Sequence, residues 1–169
     1  MLYEDLLVYF KATLTKPVVI STLPILIASI IIYFLSIYVH EASHKVVTLH
    51  YCRPLGMTCK IVCSIIKIFK GIKPHTESDY YTYLEERREE PAYQVILRKI
   101  AAAGYIGSFT FLSVPTLTYF LFYYIYASIP CLYGGFILLG FIVFDIYSCL
   151  SSNDLKTIKS PSTFYYKYK

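Results

Sequence analysis

The segment His40-Glu41-Ala42-Ser43-His44 has the spacing of a zinc-binding motif, His-Glu-x-x-His. On an α-helix, residues four positions apart lie on the same face, so His40 and His44 can bind one zinc ion together. Glu41 lies about 100° around the helix from His40, where it can accept a proton from a water that the zinc ion activates. Catalytic zinc usually has three protein ligands, so we expect a third ligand from elsewhere in the chain.

These residues also have a simpler interpretation, as two interfacial histidines and a glutamate whose side chain extends to water from the end of a helix. We favour the metal site, because the simpler interpretation requires both the spacing and the location to be coincidental. The other two histidines, His50 and His75, are expected in loops and not as ligands.

The composition indicates an integral membrane protein. Hydrophobic residues make up 56% of the 169 residues, and the charged share of 16% is below the roughly 25% of soluble proteins. The chain is uncharged from Pro17 to Val39 and again from Ile100 to Phe144. We predict one all-α membrane domain over residues 1–169, with about three transmembrane helices at 17–49, 100–127 and 132–155. The sequence SIPCLYGG is expected to form an uncharged turn before the third.

The polar segment 50–99 is predicted to contain a small β-structure and a surface helix. Met57–Phe69 is rich in β-branched residues, which favours a strand or a β-hairpin. Ser78 is a predicted N-cap of an amphipathic helix, and Pro91 suits the first turn of the next one. Residues 1–16 are expected to lie on the membrane surface, and the basic, aromatic tail 156–169 to bind anionic lipid and not nucleic acid.

The basic residues predict the orientation in a cell membrane. Segment 45–99 and the tail hold fourteen of the sixteen Lys and Arg residues, and three spans would place both on one side. The positive-inside rule makes that side cytoplasmic, including loop 50–99 and the C-terminus. The cysteines form no Cys-x-x-Cys pair and are expected to be small buried apolar residues: Cys52, Cys59, Cys63, Cys131 and Cys149.

Two aspartates are candidates for the third zinc ligand. Asp145 and Asp154 are nine residues apart, so on one unbroken helix they face opposite sides and only one can point at the metal. Asp154 lies about 33 Å along span three and His40 about 34 Å along span one, against about 20 Å for Asp145. Depth therefore favours Asp154. Asp145 would be protonated, hydrogen-bond a polar residue of another span, or help position a substrate.

Together these motifs resemble a minimal core of the site-2 protease family of intramembrane zinc metalloproteases. HEASH ends a hydrophobic span and is followed by a strand-like stretch. AAAGYIGS, Ala101 to Ser108, is similar to the family's Ala-Gly-Pro-x-x-Asn segment, with Tyr105 and Ser108 replacing the proline and the asparagine. SSNDLKTI stands where the family has the motif whose aspartate is the third zinc ligand, although Leu155 replaces the glycine after it.

The resemblance implies cleavage of membrane-protein segments in or near the lipid bilayer, often those of membrane-tethered regulators. The expected site holds one Zn²⁺ on His40, His44 and Asp154, with Glu41 as general base and then proton donor. An edge strand within Met57–Phe69 could hold an unwound substrate by β-addition, or this segment could simply lie on the membrane.

Two other functions use the same residues. A membrane-anchored zincin would act outside the bilayer, with a glutamate from residues 77–90 as its third ligand. A non-catalytic metal-binding or transport protein would need a continuous polar path, whereas spans two and three offer only Ser, Thr, Tyr and Asp145. Cleavage with and without Glu41 separates an enzyme from the non-catalytic alternative.

Overall fold

The computed structural model describes residues 16–62, 75–150 and 153–165. Within these residues, three stretches are helical, long enough and apolar enough to cross a membrane: Ser21–Leu55, Pro91–Tyr126 and Ile129–Tyr147. The predicted fold class, an all-α membrane protein with about three spans and a small antiparallel sheet, is confirmed. The predicted surface segment 1–16, except for Lys16, and the end of the tail, 166–169, lie outside the described residues.

The elements follow one another in a simple order. Helix α1 (Lys16–Cys52) leads through a 3-10 turn (Arg53–Leu55) to strands β1 (Lys60–Val62) and β2 (His75–Glu77). Helices α2 (Asp79–Glu86), α3 (Pro91–Tyr126), α4 (Ile129–Leu150) and α5 (Asn153–Lys159) come next, and a second 3-10 turn (Pro161–Thr163) follows.

Helix α1 carries the His-Glu-x-x-His motif in its C-terminal half. The helix continues to Cys52, three residues past the predicted end, and Pro54 then blocks its continuation because proline has no N–H to donate. Gly56 adopts a left-handed conformation with φ of 71°, which turns the chain toward β1. A side chain would strain the backbone at this position.

Strands β1 and β2 pair antiparallel, with Lys60 opposite Glu77, Ile61 opposite Thr76 and Val62 opposite His75. The strand prediction for Met57–Phe69 is thus confirmed for Lys60–Val62, and residues 63–69 lie outside the described part of the chain. Helix α2 begins after Ser78, whose Oγ accepts a hydrogen bond from Tyr80 N at 3.2 Å, and α3 begins at Pro91. Both predicted helix starts are confirmed.

The third span differs from its prediction at its start. Helix α4 begins at Ile129, so most of the predicted turn SIPCLYGG is helical. Gly134 and Gly135 serve for close packing, because a β-carbon on them would lie 2.9 Å from Tyr119 Cδ2 and 2.8 Å from Phe120 Cε1. At the other end α4 is described to Leu150 and α5 from Asn153 onward, and residues 151 and 152 between them lie outside the described part of the chain.

The chain forms two compact units, each with its own core. One comprises the described residues up to Tyr33 together with Leu112–Ile142. It is built around buried Leu112, Leu138 and Ile142.

The other unit comprises Phe34–Phe111 and the described residues from Val143 onward, and it contains the candidate site. Its core brings α1, α2 and α3 together through seven buried side chains: Cys52, Cys59, Tyr80, Tyr81, Leu84, Leu97 and Ile100.

The cysteine expectation is confirmed for Cys52 and Cys59, which are buried and free. Cys131 is half-buried. Cys63 and the side chain of Cys149 lie outside the described part of the structure.

Candidate metal centre

Helix α1 presents His40 and His44 from successive turns of one face, as their spacing predicts. The two Nε2 atoms lie 3.1 Å apart, and the rings meet edge to face with centroids 4.7 Å apart. His44 is 6% exposed, whereas His40 is half-buried at the rim. Helix geometry thus points two imidazole nitrogens at a single location.

Helix α5 supplies the third group. Asp154 lies in its first turn, and its Oδ2 is 3.2 Å from both His40 Nε2 and His44 Nε2. Among the described residues, these three form the group of His, Cys, Asp and Glu side chains that could hold a metal ion.

The three atoms form a nearly equilateral triangle with sides of 3.1, 3.2 and 3.2 Å. Ligands on a tetrahedral zinc ion, at bond lengths of roughly 2.0–2.2 Å, are separated by about 3.3–3.6 Å, so the triangle is slightly smaller than one face of that tetrahedron. The donor set of two imidazoles and one carboxylate is also one that zinc favours. The residues therefore fit a zinc ion with one open position.

The ring orientation of His44 is fixed by the main chain of α3. Its Nδ1 lies 2.7 Å from the carbonyl oxygen of Ile100. A carbonyl can only accept a hydrogen bond, so Nδ1 carries the hydrogen, and in neutral His44 the Nε2 lone pair faces His40 and Asp154. This arrangement is typical of metal-binding histidines, whose second nitrogen donates to a carbonyl or a carboxylate.

Gly104 of α3 makes room for both imidazoles. A β-carbon at this position would lie 2.6 Å from His40 Nε2 and still closer to His44 Nε2. Any side chain at position 104 would therefore displace the two nitrogens that face Asp154. Gly107, one turn further along, packs in the same way against Ser43 of α1.

Asp145 lies outside this group. Its Oδ2 accepts a hydrogen bond at 2.9 Å from Ser108 of α3, which is 1% exposed. A hydrogen bond to another span was one of the predicted explanations of Asp145, and the structure shows it. The structure thus brings Asp154, and not Asp145, to the two histidines.

Glu41 projects from α1 in a different direction from the two histidines and contacts β2. Its Oε2 lies 3.0 Å from the hydroxyl of Thr76, which also lies 3.2 Å from the main-chain oxygen of Glu41. The glutamate is thus next to the histidines in sequence and outside the group of three.

The charge balance of the centre favours an ionised carboxylate. Burial by itself raises the pKa of the Asp154 carboxyl, but the two histidines beside it outweigh burial and hold that pKa well below its usual value. An anionic oxygen beside two imidazoles suits a cation.

The remaining candidate residues make other contacts. His50 and His75 were expected in loops, and this is wrong. His50 lies in the last turn of α1, and His75 lies in β2, where it pairs with Val62 of β1. Glu77, from the segment proposed to supply an alternative ligand, pairs with His75 at 3.0 Å and Lys60 at 3.2 Å. Burial raises the pKa of the Cys59 thiol to about 11, which disfavours a thiolate ligand at neutral pH.

Three features of the site could not be read from the motif alone: Thr76, Gly104 and the carbonyl of Ile100. Gly104 had a partial signal, because it lies in the segment AAAGYIGS, similar to a family motif, whereas an isolated threonine and a backbone carbonyl have none. Family models, curated proteins and solved structures give no match to this chain. Its own site is therefore the basis for assigning a function.

Proposed function

We propose that this protein is a zinc-dependent intramembrane endopeptidase, which hydrolyses peptide bonds in or near the transmembrane segments of other membrane proteins. The observation that carries the proposal is the convergence of His40 Nε2, His44 Nε2 and Asp154 Oδ2 within 3.2 Å of one another. The site-2 protease resemblance of HEASH, AAAGYIGS and SSNDLKTI supports the same function.

The chain's residues divide the work between holding the metal and moving a proton. His40, His44 and Asp154 would hold Zn²⁺, which when bound polarises a water molecule and the scissile carbonyl. Glu41 takes a proton from that water as the water oxygen adds to the carbonyl carbon. It then gives the proton to the leaving nitrogen as the C–N bond breaks. The products are one carboxylate and one amine, and no other reactant is consumed.

The position of the motif supports a substrate within or beside the bilayer. His40 and His44 lie in the apolar stretch Ser21–Leu55, so a substrate reaches them from the membrane or its surface. A transmembrane helix hides its peptide bonds in internal hydrogen bonds, so the substrate must be unwound locally before water can attack it. Strand β1 or β2 could hold such an unwound segment by β-addition.

The partners are therefore a membrane-protein substrate and the lipid bilayer. Nucleic acid is not proposed as a partner. The charge distribution supports a cell-membrane location with loop 50–99 and the C-terminus in the cytoplasm, because segment 45–99 and the tail hold fourteen of the sixteen basic residues.

The proposal is tested by cleavage of a library of single-span membrane proteins in proteoliposomes. The variants compared are wild type, Glu41→Gln and the matched control Glu86→Gln, which removes the same charge from an exposed position on α2. We expect Glu41→Gln to retain zinc and to lose about 10²-fold or more of the activity, since an amide cannot accept the proton. Glu86→Gln should be as active as wild type.

Two results would overturn the proposal. One is full activity in Glu41→Gln. The other is a wild type that binds zinc as tightly as Glu41→Gln does and cleaves no member of the library. A non-catalytic metal-binding protein would give that result.

A further inference from the structure

Thr76 is the residue of the β-sheet that reaches the proposed general base. Its Oγ1 lies 3.0 Å from Glu41 Oε2 and 3.2 Å from the main-chain oxygen of the same residue. The side chain is 6% exposed, so its hydroxyl is held away from bulk water and depends on protein acceptors. These contacts join the middle of β2 to the helix that carries the motif.

The alternation of the strand selects this side chain. Neighbouring residues of a β-strand point to opposite faces, so Thr76 points away from the face that carries His75 and Glu77. On that opposite face Glu77 pairs with His75 and with Lys60 of β1, at 3.0 and 3.2 Å. The pairing of Thr76 with Ile61 fixes its register against β1. The sheet thus directs a single hydroxyl at Glu41.

The hydroxyl has one hydrogen to donate and two acceptor oxygens within reach. The carboxylate oxygen is the nearer of the two, at 3.0 Å against 3.2 Å for the main-chain oxygen. Donation to Oε2 would fix the orientation of the carboxylate. Threonine suits this task because its branched side chain has few rotamers.

We infer that Thr76 is a positioning residue for Glu41, which holds the carboxylate in the orientation needed for proton transfer without touching substrate or metal. The inference rests on the proposed peptidase function. It means that the β-sheet contributes a residue that positions Glu41. A base that is misplaced by about 1 Å costs on the order of 10²-fold in rate, so loss of this bond should be visible in kcat.

The kinetic test compares Thr76→Val, which keeps the shape and loses the hydroxyl, with Thr76→Ser, which keeps the hydroxyl. Thr48→Val is a matched control, because Thr48 is fully buried and its hydroxyl bonds Tyr81 Oη at 2.9 Å and not Glu41. We expect Thr76→Val to lower kcat about 10-fold to 100-fold with KM and zinc content unchanged. Thr76→Ser should restore most of kcat, and Thr48→Val should lower stability without changing kcat.

A double-mutant cycle tests the bond without any measurement of activity. The free energies of unfolding in detergent are compared for wild type, Thr76→Val, Glu41→Ala and the double variant, all in the zinc-loaded state. We expect the effect of Thr76→Val to be smaller when Glu41 is already absent, because the side-chain bond is lost only once. Additive effects, or an unchanged kcat in Thr76→Val, would overturn the inference. A wild type that cleaves nothing while the cycle shows coupling would overturn the peptidase function and leave the bond established.

Discussion

At the scale of single residues, the centre depends on which nitrogen of each histidine faces inward. The Ile100 carbonyl accepts a hydrogen bond from His44 Nδ1, so Nε2 is the atom that faces His40 and Asp154. Without that carbonyl the neutral ring could carry its hydrogen on either nitrogen, and part of the population would present an N–H to the metal. A backbone group thus prepares the ligand before any metal binds.

Gly104 gives the first prediction at this scale. Gly104→Ala would place a methyl group 2.6 Å from His40 Nε2, so one or both imidazoles must move. We expect zinc affinity to fall by at least about tenfold, as it does when groups that orient metal ligands are changed. The measurement is competition with a chromophoric chelator in detergent.

Gly140→Ala is the control for this substitution. It makes the same glycine-to-alanine change in a membrane helix, and its added β-carbon meets nothing within 4 Å. Wild-type zinc affinity in Gly104→Ala would show that the imidazoles of His40 and His44 do not lie against Gly104.

The ligands and their positioning groups differ in how far the sequence predicts them. His40, His44 and Glu41 follow from the helical repeat, and Asp154 followed from depth along the third span. The depth argument assumed one unbroken helix to residue 155, and the structure describes α4 to Leu150 and α5, which contains Asp154, from Asn153 onward. Thr76 and Ile100 could not be predicted, since their roles depend on contacts between residues 35 and 56 positions apart.

At the scale of elements, the sequence correctly predicted where the helices of the polar segment begin. Ser78 and Pro91 mark helix starts because capping and a missing N–H are properties of one or two residues. The SIPCLYGG turn was wrong because glycine has two uses, to turn a chain and to let helices approach closely. Gly134 and Gly135 have the second use, and only their neighbours in space reveal it.

Ser78 carries the prediction at this scale, because it joins two elements. Its Oγ caps α2 by accepting from Tyr80 N, and it donates to the carbonyl oxygen of Thr58, just before β1, at 2.6 Å. Ser78→Ala loses both bonds at a buried site, so we expect a destabilisation of about 1–2 kcal/mol. Thermal unfolding in detergent should show a midpoint lower by about 2–8 °C.

Two further variants check the cause of that shift. Ser78→Thr keeps a hydroxyl and should recover most of the stability. Ser160→Ala changes an exposed serine whose side chain makes no cap hydrogen bond, and should leave the midpoint unchanged. Equal midpoints for Ser78→Ala and wild type would mean that neither bond contributes.

At the scale of the whole molecule, the charge distribution predicts which side of the membrane each loop occupies. Ser128 precedes the third span, and Ser160 follows α5 in the basic tail region. In a variant without native cysteines, a membrane-impermeant maleimide should label Ser128→Cys in intact cells and Ser160→Cys only after lysis. The reverse pattern would place loop 50–99 outside the cytoplasm and contradict the proposed orientation.

The central claim is that His40, His44 and Asp154 bind one zinc ion, and metal analysis after dialysis against a weak chelator tests it most directly. We expect about one zinc ion per chain in wild type, in Glu41→Gln and in Asp145→Ala, because neither Glu41 nor Asp145 belongs to the ligand group. His40→Ala, His44→Ala and Asp154→Ala should each retain less than about a tenth of that amount. Zinc retained by Asp154→Ala but lost from Asp145→Ala would contradict the account.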